Sequence, residues 1–343
     1  MSCKPPWPAR PRRFRFLKVR PLNKPLLQLL LTRITLAVVT LFAVSIVVFA
    51  ATQYLPGDPA RAALGAKADP SAVEALRRQF GMDRPAVVQY FSWIEGALTG
   101  DFGRSIPSGR PVWEAIGPRA VNTLILTVTS LLLLIPLSFV LGILAAIYKD
   151  RLADHLISVP TIVTVALPEF VIGTVLIVLF AVYLRWLPPV SLINDSLPLS
   201  SQSSLFILPV LTLLGTTLAQ VVRMVRAVAL EVLSAEYIYM VRLRGISPAR
   251  VLIWHVLPNT ITPTIQTIAL NAAWLAGGVV VTESVFQLPG IGSALSDAVI
   301  NRDMPTVLAI TLIITATYVL INLVSEALIL LLNPRLRVAR GNN

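Results

Sequence analysis

The sequence predicts an all-α integral membrane protein with six spanning helices and both termini in the cytoplasm. Three observations predict it. Of 343 residues, 55% are hydrophobic and only 13% are charged, against roughly 25% charged in a soluble domain. Uncharged or nearly uncharged runs recur, each long enough to cross about 30 Å of hydrocarbon. The 29 Lys and Arg residues lie mostly beside those runs, nine of them in residues 1–33. That placement excludes nucleic acid as the reason for the formal charge of +12. The solitary Cys3 rules out an internal disulfide, and two histidines, His155 and His255, are too few and too far apart to suggest a metal site.

In chain order, residues 1–33 are a Pro- and Arg-rich arm, expected to stay in the cytoplasm as an orientation signal or to meet anionic headgroups. The uncharged run over 34–57 exceeds the h-region of a signal peptide, so it is expected to remain as a helix over 34–55. Residues 58–118 are mixed, with seven acids against seven bases, and form an external segment. Within it, 70–80 and 85–98 have the pattern of short amphipathic helices. Five further spans are expected near 120–148, 156–184, 205–230, 264–284 and 305–332, followed by a cytoplasmic tail over 334–343. Orientation follows from the Lys/Arg asymmetry of short loops. With the N-terminus inside, cytoplasmic segments hold nineteen Lys/Arg and the two short external loops hold one each, Arg185 and Arg302.

The apolar pattern is broken by a polar stretch at 231–263, which this topology puts in the cytoplasm. A helix from 234 to 244 runs into Gly245, the residue type that most easily takes the left-handed turn ending a helix. Ser247 and Pro248 suit N-cap and N1 of a second helix. That helix is expected to run to Leu257 and to be interrupted at Pro258 and Asn259. The product is a bent, basic knob carrying Arg242, Arg244 and Arg250.

Several chemistries are missing. No phosphate-binding G-x-x-x-x-G-K-[ST] loop exists, nor any Gly-Lys pair, so ATP and its Mg²⁺ would have to be bound by separate subunits. No G-x-S-x-G elbow or H-E-x-x-H pair points to an enzyme. Glu169, in ALPEFVIG, is the one deep carboxylate. Its burial requires a partner helix or a water-filled path, and one carboxylate without a second relay member argues against a stand-alone secondary transporter. Asn122, Asn271 and Asn322 can either glue helices or line the path. Glu283 precedes VFQLPGIG at the external end of the fifth span, where it would gate or shape the mouth.

Glu236, Gly245, Leu257 and Pro258, spaced nine and twelve residues from Glu to Gly to Leu, resemble the cytoplasmic loop of bacterial ABC-importer permeases. LPGDPAR at 55–61, GMDRPAVVQY at 81–90, GDFGRS at 100–105, TESVFQLPGIG at 282–292, NRDMP at 301–305 and LNPRLR at 332–337 resemble the dipeptide/oligopeptide/nickel branch. The departures are Tyr237 and Ile238, where alanines are usual, and His255, where an aliphatic residue is usual. The resemblance implies a type I importer permease fold with a coupling helix. It also implies a homologous second permease, forming a heterodimer, two cytoplasmic ATPases and an extracytoplasmic binding protein. The coupling contacts it implies are Glu236, Tyr237, Met240, Arg244, Gly245, Ser247, Pro248, His255, Leu257 and Pro258. Binding-protein docking falls to Asp58, Asp101, Arg104 and Asp303. Dipeptides or oligopeptides are the implied cargo, with nickel or another small solute as the alternative.

Overall fold

The computed structural model describes residues 24–54, 57–65, 67–194 and 197–332. Residues 1–23 of the predicted arm over 1–33 and the tail over 334–343 lie outside the described residues, as does most of the LNPRLR block. Among the described residues every regular element is helical.

Helix α1 spans Lys24–Tyr54, beginning ten residues before the expected start. The chain stays helical through Thr32 and Arg33 because nothing between Lys24 and Ile34 breaks it: Pro25 sits in the first turn, where a missing N–H costs nothing. Its side carries exposed Val38, Val39, Phe42 and Val47, an apolar surface suited to lipid. The segment expected to be external then folds as α2 (Pro59–Leu64), α3 (Pro70–Gln79) and α4 (Ala86–Thr99). The last two match the expected amphipathic pair, and α2 is additional. Asp58 and Asp69 cap α2 and α3 by accepting the amides of Ala60 and Ser71, each with Pro at the next position. Ser71 donates from amide and hydroxyl, and so holds the Asp69 carboxyl below its ordinary value. Asp58 also pairs with Arg77 at 2.8 Å, joining α2 to α3.

Helix α5 (Val112–Ile147) begins eight residues before the predicted span, and Pro118 and Pro136 lie within it. The predicted single helix over 156–184 is two: α6 (Leu152–Ala166) and α7 (Glu169–Leu176), continued by a wide π turn over Ile177–Tyr183. The two parts are bent by 114°. The cause is Pro168, which lacks an N–H and forces Leu167 into extended backbone (φ −90°, ψ 135°). Helix α8 (Ser204–Ser234) is the most enveloped of the long helices. It packs most extensively on α5. Their seam holds Leu126, Leu134, Leu213, Val221 and Val225, closed by Leu275 and Leu288.

After α8, Ala235 is extended, and the knob follows as α9 (Glu236–Leu243), the turn at Gly245 and α10 (Pro248–Val251). Helix α9 starts at Glu236 rather than at 234 because that extended residue ends α8 first. Gly245 has φ +75°, as the helix-ending role requires. Ser247 occupies the N-cap position, yet its hydroxyl makes no capping bond. The expected interruption at Pro258 is absent. A π turn over Leu252–Val256 leads directly into α11 (Leu257–Gly278), and Pro258 sits in the first turn of that helix. There its missing N–H costs nothing. The fifth span accordingly begins well before 264. It bends at Val279 into α12 (Val280–Phe286), followed by α13 (Ile291–Ile300) and α14 (Met304–Leu332). By length and composition, α1, α5, α8 and α14 can each cross a membrane, and each bent pair can supply one more span.

Candidate functional site

The functional features lie at two ends and in the middle of the bundle. At one end, Glu283 of α12 is fully buried, with 0% of its surface exposed. Its Oε1 accepts from Thr123 Oγ1 at 2.6 Å, and its Oε2 accepts from the Ser293 amide at 2.8 Å. Thr123 in turn accepts from the Ile291 amide at 2.8 Å. Asn122 donates from Nδ2 to the Pro289 carbonyl at 2.8 Å. The loop at 287–292 is thereby stitched to α5 from two adjacent residues. The tight turn itself falls on Gln287 (φ +52°), not on a glycine. Gly290 has an ordinary negative φ, and its role is clearance, because a β-carbon there would overlap the Glu283 carboxylate. Next door, Thr282 donates its hydroxyl to Oε1 of half-buried Glu169, which links α12 to the first turn of α7. Glu169 and Glu283 therefore each meet a threonine, and both carboxylates join helices.

The three asparagines have different surroundings. Asn122 is buried and is part of the stitch above. Asn271 is buried on α11, with Nδ2 donating to the Thr267 carbonyl at 2.9 Å. Asn322 is half-buried on α14 and bonds only the carbonyl one turn back, of Tyr318, at 2.9 Å.

In the segment between α1 and α5, Asp58 is committed to the α2 cap and to Arg77. Asp101 is exposed and accepts the Gly103 amide at 2.9 Å. Arg104 is exposed and reaches the Gly109 carbonyl at 3.1 Å. Asp303 differs from them: it is buried, and takes the Ile106 amide at 3.0 Å and the Thr306 hydroxyl at 2.7 Å. It ties the 100–106 loop to the start of α14. Asp58, Asp101 and Arg104 also line a cavity of about 590 Å³ between α1, α4 and that loop.

At the opposite end, the knob is anchored by a residue that breaks the usual pattern. Ile238, where alanine is usual, is fully buried against Ala146 of α5, Ala229 of α8, Val251 and Val256. A larger side chain at this position fills space between the knob and both helices, so a displacement of α9 is passed to α5 and α8 as packed contact. Val241 packs beside Ile238, and the other side chains of α9 face outward. Met240 is 57% exposed, and Tyr239, Leu243 and Trp254 are similarly open. Glu236, Arg242, Arg244 and Arg250 are exposed and make no ion pair among the described residues. Tyr237 lies against His255 with ring centroids 6.5 Å apart, and Asn259 reaches its hydroxyl at 3.4 Å. Gly245, Ser247, Pro248 and Pro258 are exposed beside them, and Leu257 is half-buried at the foot of α11.

A second feature, at the knob end of the bundle, is not evident from sequence. Asp154, in the first turn of α6, is buried and forms a two-point pair with Arg226 of α8, at 2.8 Å to Nε and 2.6 Å to Nη2. Ser158 and the Asp150 amide also donate to it, at 2.9 and 3.0 Å. In sequence, Arg226 counted only as a topology charge. The signal available was Arg226 lying between Val225 and Ala227 in the largely apolar helix α8.

Comparison with known proteins agrees with this architecture. Residues 138–338 match the family described as binding-protein-dependent transport system inner membrane component, and residues 26–127 match its N-terminal family. The glutathione transport system permease protein GsiC of Escherichia coli (strain K12) is 38% identical over 298 residues, covering 87% of this chain and 95% of the relative. GsiC of Shigella dysenteriae serotype 1 gives the same figures, and that of Shigella boydii serotype 4 is 37% identical over the same length. A permease of this kind works with ATPase and substrate-binding partners in the bacterial inner membrane and is not itself an enzyme. The chain belongs to the binding-protein-dependent transport system inner membrane component family, as an ABC importer permease subunit.

Proposed function

We propose that this subunit forms half of the membrane pathway for small peptides and is driven through its 236–258 knob. One observation carries the reading: the knob turns charged and apolar side chains outward while Ile238 fixes it to α5 and α8. A surface that is exposed, mixed and rigidly anchored suits docking into a groove on a cytoplasmic ATPase. Closure of two ATPases then draws two such knobs together and swings the helices from inward-facing to outward-facing, a rigid-body motion of packed elements. Reversing a 1:99 equilibrium takes about 5.5 kcal/mol of differential binding, within reach of ATP-linked association. In this scheme Glu236, Tyr237, Met240, Arg244 and His255 meet the ATPase, and Gly245, Ser247, Pro248, Leu257 and Pro258 hold the bend.

The second half of the pathway comes from a homologous permease, and both termini lie in the cytoplasm, as the Lys/Arg distribution supports. Asp58, Asp101 and Arg104 face the delivering binding protein from outside, with Asp303 holding the loop that carries Asp101 and Arg104. Glu169, Asn122, Asn271, Glu283 and Asn322 border or brace the path. The peptide assignment draws on GsiC, whose named cargo, glutathione, is a tripeptide.

The test is reconstitution in proteoliposomes with the second permease, both ATPases and the binding protein. Binding protein loaded with dipeptide, tripeptide or glutathione is expected to raise ATP hydrolysis and drive uptake. Stimulation by Ni²⁺ alone, with no response to any peptide, sinks the peptide assignment. Uptake that follows an ion gradient and ignores ATP sinks the coupling scheme.

A further inference from the structure

Midway along α8 and α11, six residues enclose a cavity of about 250 Å³: Thr216, Thr217, Gln220, Leu270, Asn271 and Trp274. Spacing puts them there. Thr216 and Thr217 lie one turn from Gln220 on α8, and Leu270 and Asn271 lie one turn from Trp274 on α11, so each set shares a face. Gln220 is the seventeenth of the 31 residues of α8, far from either end. It is exposed and makes no hydrogen bond among the described residues. An unpartnered amide turned toward hydrocarbon at that depth costs several kcal/mol, so this side of α8 cannot be a lipid face. Trp274 is 43% exposed and carries an indole N–H.

The available groups define the ligand. Thr216 and Thr217 donate their hydroxyls to the Leu213 carbonyl, at 2.9 and 2.7 Å, which leaves their acceptor lone pairs free. Asn271 spends Nδ2 on Thr267 and keeps Oδ1. Gln220 keeps both an acceptor and two donors. No Asp, Glu, Lys, Arg or His lines the cavity. It therefore offers alternating neutral donors and acceptors and no charge. Resting on the importer reading above, we propose that Gln220 and Asn271, with Trp274 beside them, form one wall of a transit site for the uncharged amide groups of a peptide backbone. The lining carries no acidic side chain to offset the charge of a metal cation. The opposite wall belongs to the partner permease.

The experiment uses the reconstituted four-component complex, with trialanine and a trialanine methylated on its backbone amide nitrogens as probes. Uptake per ATP hydrolysed is read for wild type, Gln220→Leu, Gln220→Asn and Asn271→Leu. Losing one hydrogen-bonding partner is expected to lower trialanine import per ATP about tenfold in each Leu variant. Gln220→Asn, which keeps the amide, is expected to retain most of it. The preference of wild type for trialanine over its methylated analogue should shrink in both Leu variants. Unchanged import and preference in both Leu variants overturns the site. So does loss of the second permease from the purified complex in Gln220→Leu, which would assign Gln220 to the subunit seam. A wild-type complex that imports neither peptide while moving another solute overturns the peptide reading and this site together.

Discussion

Two glutamates stand at opposite ends of the same bundle, and their surroundings are reversed. Glu283 is sealed, with both oxygens committed to Thr123 and Ser293 and with Gly290 kept small to admit it. Glu236 opens the knob, exposed and without a partner among the described residues. Both belong to sequence blocks shared with a transporter family, and sequence alone does not tell which of them finds its partners within its own chain. The difference teaches that a shared carboxylate can be finished inside its own chain or left for another. Glu283 ties α12 and the loop after it to α5, whereas Glu236 lies on the surface that the proposed coupling scheme assigns to the ATPase.

The comparison breaks most visibly at Glu283. Glu283→Ala leaves the Thr123 hydroxyl and the Ser293 amide without an acceptor in a dry site, at about 1–3 kcal/mol each. A marked fall in Tm of the detergent-solubilised chain is expected, with about 1 kcal/mol lost in Glu283→Gln, which keeps one acceptor. A Tm unchanged in Glu283→Ala would mean that the stitched loop contributes nothing to rigidity.

Arg226→Met comes next. It strands buried Asp154 without its counter-charge, a loss of about 3–5 kcal/mol at full burial. The Arg226 side chain is 27% exposed, so water screens part of the pair and about 2 kcal/mol is expected. Adding Asp154→Leu should restore most of the Tm, since an apolar pair avoids the desolvation cost. If the double variant is no better than the single one, the pair is not the source of the effect.

The knob gives the smallest stability changes and the largest loss of transport. Gly245→Val forces a β-branched residue to φ +75°, costing about 1–2 kcal/mol. Glu236→Lys should alter stability by less than about 0.5 kcal/mol while ATP hydrolysis no longer drives uptake. Normal uptake in Glu236→Lys would put the drive elsewhere in the loop.

Much of the fold was legible in sequence because lipid imposes a simple condition: a spanning segment must be apolar and must satisfy its own backbone. The long apolar runs accordingly became helices, and the glycine at 245 ended one as expected. Prolines were harder to read. Pro168 broke a span that charge counting treated as continuous, whereas Pro258 broke nothing. Pro136 and Pro263 also lie inside continuing helices, so a proline in an apolar run does not by itself mark where a helix stops. The candidate site divided in the same way. Glu236 and Glu283 were visible as motif positions, but Asp154, Arg226 and Gln220 were not, because a lone polar residue in an apolar run does not reveal what it faces.

The sequence by itself determined that the chain crosses a membrane and binds no ATP through a phosphate loop. It also determined that a bent polar knob interrupts the chain between two apolar helices. Those properties follow from local composition and spacing, which need no partner to be read. Only the tertiary structure decided that Glu283 is a sealed brace, that Ile238 is the knob's anchor, and that Gln220 and Asn271 share one cavity. Each depends on distant residues meeting in space, Gln220 with Asn271, Ile238 with Ala146 and Glu283 with Thr123, and burial and hydrogen bonding are properties of that meeting rather than of the residue type.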